Sequence, residues 1–83
     1  MGHSRPRPKH LAAKLLQIRP HLGISQAEML KRLGLGIPYN YTFISKYELD
    51  KNEPPLMVLL AYSKVSGISV ESLIDDRIDP SQM

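Results

Sequence analysis

Few side chains in this 83-residue chain have the types and spacing that catalysis or metal binding requires. There is no cysteine, which excludes disulfides, thiol nucleophiles and cysteine-ligated zinc. The three histidines are not three or four positions from one another or from a glutamate, as ligands on one helix would be; they are His3, His10 and His21. Three carboxylates near the end are typical of an exposed, solubilising cluster; they are Asp75, Asp76 and Asp79. We therefore expect no metal, no cofactor and no enzymatic activity.

The basic side chains are concentrated in the first part of the sequence. Residues 1–32 contain seven lysines or arginines and one acidic residue, whereas residues 33–83 contain four and seven. This asymmetry, with a pI of about 9.4, favours a polyanionic partner for the first part. A solvated basic surface would have the same composition.

The composition, 42% hydrophobic and 23% charged, is typical of one small globular domain. The longest apolar run, 56–62, is too short to span a membrane, and no signal-peptide core follows the start, so we expect a cytoplasmic protein. Prolines alternate with basic residues at the start. We divide the chain into a basic arm (1–9), a helical domain (10–75) and a polar tail (76–83) that we expect to fray.

Two amphipathic helices are predicted in the first half of the domain. Apolar residues recur at helical spacing at Leu11, Leu15, Ile18 and Leu22. Because Pro20 falls in the last turn of this pattern, we expect the ordered helix to end near Arg19. Ser25 and Glu28 fit a capping box that begins the second helix. Its inward residues are expected to be Ala27, Leu30 and Leu33.

Residues 39–47 fit both a strand and a helix. Tyr39, Tyr41, Phe43, Ser45 and Tyr47 alternate there with Asn40, Thr42, Ile44 and Lys46, as in a strand. Asn40 could also cap a helix that places Ile44 and Tyr47 on one face. A single strand without a partner cannot satisfy its backbone, which favours the helix. Two more helices follow: 56–66, which is nearly all apolar and suits the centre of the core, and a short helix capped by Ser69 that carries Val70, Leu73 and Ile74. The fold class predicted is all-α with five helices.

Short segments in a fixed order accompany these helices. They are Ile18-Arg19, Gly23-Ile-Ser-Gln-Ala-Glu28, Leu33-Gly34, Ile44-Ser-Lys-Tyr-Glu48, Pro54-Pro-Leu56, Ala61 and Gly67-Ile-Ser-Val-Glu-Ser-Leu73. Together, over about residues 11–75, they resemble the lambda repressor/Cro-like (XRE-type) family of helix-turn-helix DNA-binding proteins. The resemblance implies a five-helix fold in which the third helix, 40–49, is the recognition helix.

Two departures from the family pattern bear on that helix. The turn between the second and third helices, 35–40, is four residues longer than is usual in the family. We expect Ile37, Pro38 and Tyr39 to pack this turn on itself, with Tyr39 either anchoring it or donating to a DNA phosphate. The glycine that usually follows the recognition helix is replaced by Asp50, which tolerates a left-handed backbone better than most residues.

The resemblance implies roles for individual residues. Gln26 would contact a phosphate or brace the recognition helix. The groove-facing positions of that helix would be Tyr41, Thr42, Ser45 and Lys46, although Tyr41 could instead be a core aromatic. Further phosphate contacts would come from Lys51, Asn52, Arg5, Arg7 and Lys9. Arg19 and Glu48 would form a partly buried ion pair that joins the first and third helices.

The function expected from these features is sequence-specific binding of double-stranded DNA by a transcriptional regulator. We expect a homodimer, because one recognition helix offers few base contacts and paired half-sites are the common remedy. The alternative is a protein-interaction module, such as an antitoxin-like or adaptor domain, because four of the five aromatic residues lie at 39–47 and aromatic side chains also favour protein interfaces.

Overall fold

The computed structural model describes residues 7–82. Over that range it contains no strand and five α-helices, followed by a short 3₁₀ helix at Pro80–Gln82; the α-helices are α1 (Leu11–Leu22), α2 (Gln26–Leu33), α3 (Tyr41–Glu48), α4 (Leu56–Ser66) and α5 (Val70–Ile74). The predicted all-α fold is confirmed. α1 packs against α3 and α5, and α2 packs against α3 and α4.

Side-chain caps begin three of the helices at the predicted positions. Ser25 Oγ accepts the Glu28 N–H at 3.1 Å, and Ser69 Oγ accepts the Ser72 N–H at 3.1 Å. Asn40 Oδ1 accepts the Thr42 N–H at 2.9 Å, which fixes the start of α3. Residues 41–48 are therefore helical, and the strand alternative is wrong. The backbone of Asp50 adopts a positive φ of 61° just after α3, as expected for a residue in the place of a glycine.

α1 is one turn longer than the sequence predicts. It passes through Pro20 and ends at Leu22, so the expected end near Arg19 is wrong. Pro20 has no N–H to donate to the carbonyl of Leu16, so α1 continues through this residue with one backbone hydrogen bond fewer. Backbone hydrogen bonds close the last turn after the proline. The Gly23 N–H donates to the carbonyl of Pro20, and the Ile24 N–H donates to the carbonyl of Arg19.

The predicted inner face of α2 needs a correction. Met29 and Leu33 are buried, whereas Ala27 is exposed, so Met29 takes the core position that was assigned to Ala27. Glu28 does serve the cap with its backbone N–H, but its carboxylate accepts a hydrogen bond from Arg32 at 3.2 Å, one turn further along.

The core lies where all five helices meet. Its fully buried hydrophobic residues are Leu15, Met29, Ile44, Val58, Tyr62 and Leu73. α4 is less buried than its composition predicts, because Leu56, Met57 and Leu60 are exposed, whereas Val58, Leu59 and Tyr62 are buried and Ala61 and Val65 pack against the core. Ile74 is also largely exposed, so the short last helix contributes mainly Leu73.

The segment after α5 packs against α1. The 3₁₀ helix contacts α1. The Asp76 carboxylate accepts the backbone N–H groups of Lys9 at 2.9 Å and His10 at 3.2 Å. These groups lie at the start of α1, where a helix leaves donors unpaired and favours negative charge. Asp76 therefore joins the segment after α5 to the start of α1.

Candidate nucleic-acid interface

The inner face of α3 is held by buried polar contacts as well as by apolar packing. Ile44 and Tyr47 lie in the core, and Glu48 beside them has a side chain only 2% exposed. Arg19 of α1 donates to both Glu48 oxygens, Nε to Oε2 at 2.7 Å and Nη2 to Oε1 at 3.1 Å. The ion pair inferred from the resemblance is therefore present, and its bidentate geometry fixes α3 against α1.

Gln26 completes this cluster. Its Nε2 donates to Glu48 Oε1 at 3.2 Å, so in this structure the side chain braces α3, the second of its two expected roles. Arg19 Nη1 also donates to the carbonyl of Ile24 at 3.2 Å, which ties the turn before α2 to the same group. The Glu48 carboxylate hydrogen-bonded to Arg19 raises the pKa of the guanidinium above its ordinary value.

One buried hydroxyl near the cluster has no hydrogen-bond partner among the described residues. It belongs to Tyr62 of α4, which is completely buried. Burial raises the pKa of this phenol well above its ordinary value, and the negative charge of Glu48 raises it further. The Tyr62 hydroxyl therefore stays protonated at neutral pH.

The outer face of α3 is polar and carries no acidic side chain. Thr42 and Lys46 are exposed one turn apart, and Leu49, just after the helix, lies on the same side and is 59% exposed. Tyr41 and Ser45 form the neighbouring row, and Tyr41 is 57% exposed, so it is not a core aromatic. Ser45 is half-buried. The four predicted groove-facing residues thus lie on one side of α3, with Leu49 as a member that the sequence analysis missed.

Three of the predicted phosphate contacts line a cleft of about 550 Å³ beside α3. They are Arg7, Lys51 and Asn52, and the same cleft is lined by Tyr39, Phe43 and Tyr47 and by the acidic Glu53. The aromatic rings follow one another along the helix, with ring centroids 4.9 Å apart between Tyr39 and Phe43 and 6.4 Å apart between Phe43 and Tyr47. The N–H groups of Lys51 and Asn52 donate to the carbonyl of Lys46, so the loop caps the end of α3.

The basic arm is partly engaged by the domain. Arg7 Nη2 donates to Asp50 Oδ1 at 2.9 Å, in an ion pair whose side chains are 44% and 65% exposed. The Lys9 side chain is exposed, and its backbone N–H is bonded to Asp76. Arg5 lies outside the described residues.

Lys14 has a role that the sequence analysis did not assign. It is completely buried, and its Nζ donates to the carbonyls of Ser72 at 2.7 Å and Asp75 at 2.9 Å. A cation at the end of α5 pairs the last carbonyls of that helix. Its position three residues after Leu11, on the apolar row of α1, was the signal in the sequence that it would point inward.

Other kinds of site are not indicated in the described part of the chain. Residues 7–82 contain no group of three histidine, aspartate or glutamate side chains placed to hold a metal ion. No helix among them combines the length and the apolar character that a membrane crossing needs. Comparison with protein-family models, with curated proteins and with solved structures finds no match to this chain.

Proposed function

We propose that this chain is a sequence-specific DNA-binding transcriptional regulator with a lambda repressor/Cro-like helix-turn-helix, α2 and α3, in which α3 enters the major groove. The observation that carries the proposal is the two-sided character of α3. Its inner face is locked by Ile44, Tyr47 and the Arg19–Glu48 pair, and its outer face presents Tyr41, Thr42, Ser45 and Lys46 without an opposing acid. A helix that approaches bases needs this combination of fixed position and exposed hydrogen-bonding groups.

Affinity and sequence choice come from different residues in this proposal. The cleft beside α3 gathers Arg7, Lys51 and Asn52, which suit phosphate oxygens and give binding without sequence preference. Thr42 and Lys46 contact base edges, since they project from the middle of the exposed face.

The proposed active form is a homodimer in which a second copy covers the exposed side chains of α4. Leu56, Met57 and Leu60 are 71%, 69% and 38% exposed and occupy the beginning of α4, one loop away from the end of α3. The molecule measures 35 × 31 × 19 Å. Two copies side by side have the size needed to present two α3 helices to half-sites about 34 Å apart. Met57→Glu should therefore give a monomer in sedimentation velocity; if the wild type dimerises and the variant does too, the interface lies elsewhere.

The experiment that tests the function begins with selection of bound fragments from genomic DNA. Affinities for the selected site and for random DNA are then measured. Lys46→Ala and Thr42→Ala should each weaken binding to the selected site by about 1–3 kcal/mol and leave random DNA and the thermal midpoint almost unchanged. Lys64→Ala, an exposed lysine on α4, is the matched control. Equal losses on both DNAs would reduce Lys46 and Thr42 to phosphate contacts, and failure to select any sequence would contradict the proposal.

The exposed apolar side chains of α4 also favour the alternative, a protein-interaction module that binds a different protein through this face. A salt titration separates the two functions. Binding to mixed-sequence duplex DNA that falls steeply with salt supports a DNA-binding protein, whereas its absence supports the interaction module.

A further inference from the structure

The turn between α2 and α3 holds one apolar side chain completely in solvent. Ile37 is 99% exposed, whereas Leu35 and Tyr39 on either side of it pack against the core. The expectation that Ile37 helps the turn to pack on itself is therefore wrong. The two flanking anchors hold the turn at both ends and leave Ile37 at its tip.

A backbone hydrogen bond and an aromatic contact fix the position of this turn. The Tyr39 N–H donates to the Gly36 carbonyl at 3.0 Å, which closes a four-residue turn with Ile37 and Pro38 at its centre. The Tyr39 ring then meets Phe43 edge-on, with ring centroids 4.9 Å apart, so the turn is fixed to α3 itself. A β-branched residue is unusual in the centre of a turn, where Gly, Asn, Asp and Ser are preferred.

The position of this turn decides what Ile37 can contact. It directly precedes Asn40, the cap of α3, and Tyr41, which is itself 57% exposed. When a recognition helix enters the major groove, its N-terminal residues lie closest to the bases. An isoleucine cannot donate to a phosphate, and the apolar group that the major groove offers is the C5-methyl of thymine.

We propose that Ile37 packs on a thymine methyl group beside the bases contacted by α3, so that the enlarged turn adds a position to the DNA sequence that the protein recognises. This inference rests on the proposed function. The inference gives the turn a role in sequence specificity that α3 alone does not supply. Asn40, the cap of the helix, separates Ile37 from the exposed polar residues of α3.

The test replaces each thymine of the selected site with deoxyuridine, which lacks the methyl group and keeps the same hydrogen-bonding edge. Kd is measured for the wild type, for Ile37→Ala and for Ile74→Ala, an isoleucine that is 42% exposed on α5. We expect one deoxyuridine position to weaken wild-type binding by about fourfold, the value of one methyl-sized group. Ile37→Ala should bind the thymine site about fourfold more weakly than the wild type does. Replacing that thymine with deoxyuridine should not weaken the binding of Ile37→Ala further, whereas Ile74→Ala should behave like the wild type on both sites. The thermal midpoint of Ile37→Ala should equal that of the wild type, because its side chain is solvated.

The possible failures are distinguishable. If the wild type binds a selected site but each deoxyuridine costs the same with and without Ile37, this inference is overturned and the proposed function stands. The same holds if no deoxyuridine position matters. If the wild type prefers no sequence over random DNA, both proposals are overturned.

Discussion

At the scale of single residues, the most consequential group is the Glu48 carboxylate, which is buried between three elements. Arg19 of α1 and Gln26 of α2 both donate to it, so one side chain orients α3 against the two helices before it. A buried charge that is paired in this way adds little net stability. Removing its partner, however, leaves the buried charge uncompensated. The orientation of the proposed recognition helix therefore depends on a contact far from its outer face.

Arg19→Ala should lower the free energy of unfolding by about 3 kcal/mol, because it leaves the buried Glu48 carboxylate without its cation. Glu48→Ala should cost less, because the Arg19 side chain is 20% exposed and water can solvate it. Chemical denaturation of both single variants and the double variant gives the coupling energy of the pair. The exposed Glu28–Arg32 pair, whose side chains are 40% and 46% exposed, is the control and should couple by less than about 1 kcal/mol. A coupling energy near zero for Arg19 and Glu48 would contradict their pairing.

Tyr62→Phe should stabilise the protein by about 1 kcal/mol. The substitution removes a buried hydroxyl that finds no partner in the described residues, and it keeps the ring that fills the core. Tyr41→Phe, at an exposed position, should change stability by less than about 0.5 kcal/mol. Both are measured by urea denaturation. A clear destabilisation by Tyr62→Phe would mean that the hydroxyl is hydrogen-bonded in solution.

At the scale of elements, the helices with caps and spacing signals were predictable, whereas the contacts between distant segments were not. Ser25, Asn40 and Ser69 begin helices because a local side chain pairs a local N–H, and such signals lie within four residues. Pro20 predicted an early end of α1, because a proline removes a backbone hydrogen bond from a helix. The packing of the last turn outweighed the cost of that lost bond.

The candidate site divides in the same way. The resemblance placed Arg19 opposite Glu48, and it also placed Tyr41, Thr42, Ser45 and Lys46 on the outer side of α3. The apolar row of α1 indicates that Lys14 points inward, but the partners of Lys14 and Asp76 are carbonyl and N–H groups about sixty residues away in sequence, which periodicity does not reveal. The exposure of Ile37 depends on where Leu35 and Tyr39, on either side of it, pack against the core.

The contact between the tail and α1 makes stability depend on acid pH. Hydrogen bonds from the N–H groups of Lys9 and His10 lower the pKa of Asp76, and Arg77 lowers that of Asp75 to about 2. A carboxyl whose pKa is lower in the folded state stabilises the protein at pH values above its unfolded pKa, near 3.9. That stabilisation is lost as the pH falls through the folded pKa.

Asp76→Asn should therefore reduce the loss of thermal stability between about pH 5 and pH 2 relative to the wild type. Thermal midpoints across that range measure the difference. Glu71→Gln is the control, because it removes an exposed carboxylate from α5 and leaves Asp76 in place. If Asp76→Asn and wild-type curves were parallel, Asp76 would not cap α1 in solution.

At the scale of the whole molecule, the charge that the sequence concentrates in residues 1–32 is only partly exposed. Lys14 is buried and Arg19 is paired with the buried Glu48, whereas Lys31 and Arg32 are exposed. Near α3, basic groups come from two separate parts of the sequence: Lys46 and Lys51 from the helix and the loop after it, and Arg7 from the arm. Folding, rather than sequence order, assembles the positive face.

The salt dependence of DNA binding should report this arrangement. Changing Arg5, Arg7 and Lys9 to glutamine together keeps the backbone N–H that Lys9 donates to Asp76, so the domain should remain folded. The Arg7–Asp50 pair is too exposed to hold Arg7 away from a phosphate. We expect weaker binding to all sequences and a slope of log K against log salt that is flatter by about 2–3 units, roughly 0.9 for each lost contact. Lys64→Gln removes one charge from α4 and should leave the slope unchanged. If the triple variant keeps the wild-type slope, the arm makes no phosphate contact, and the positive face is limited to α3 and the loop that follows it.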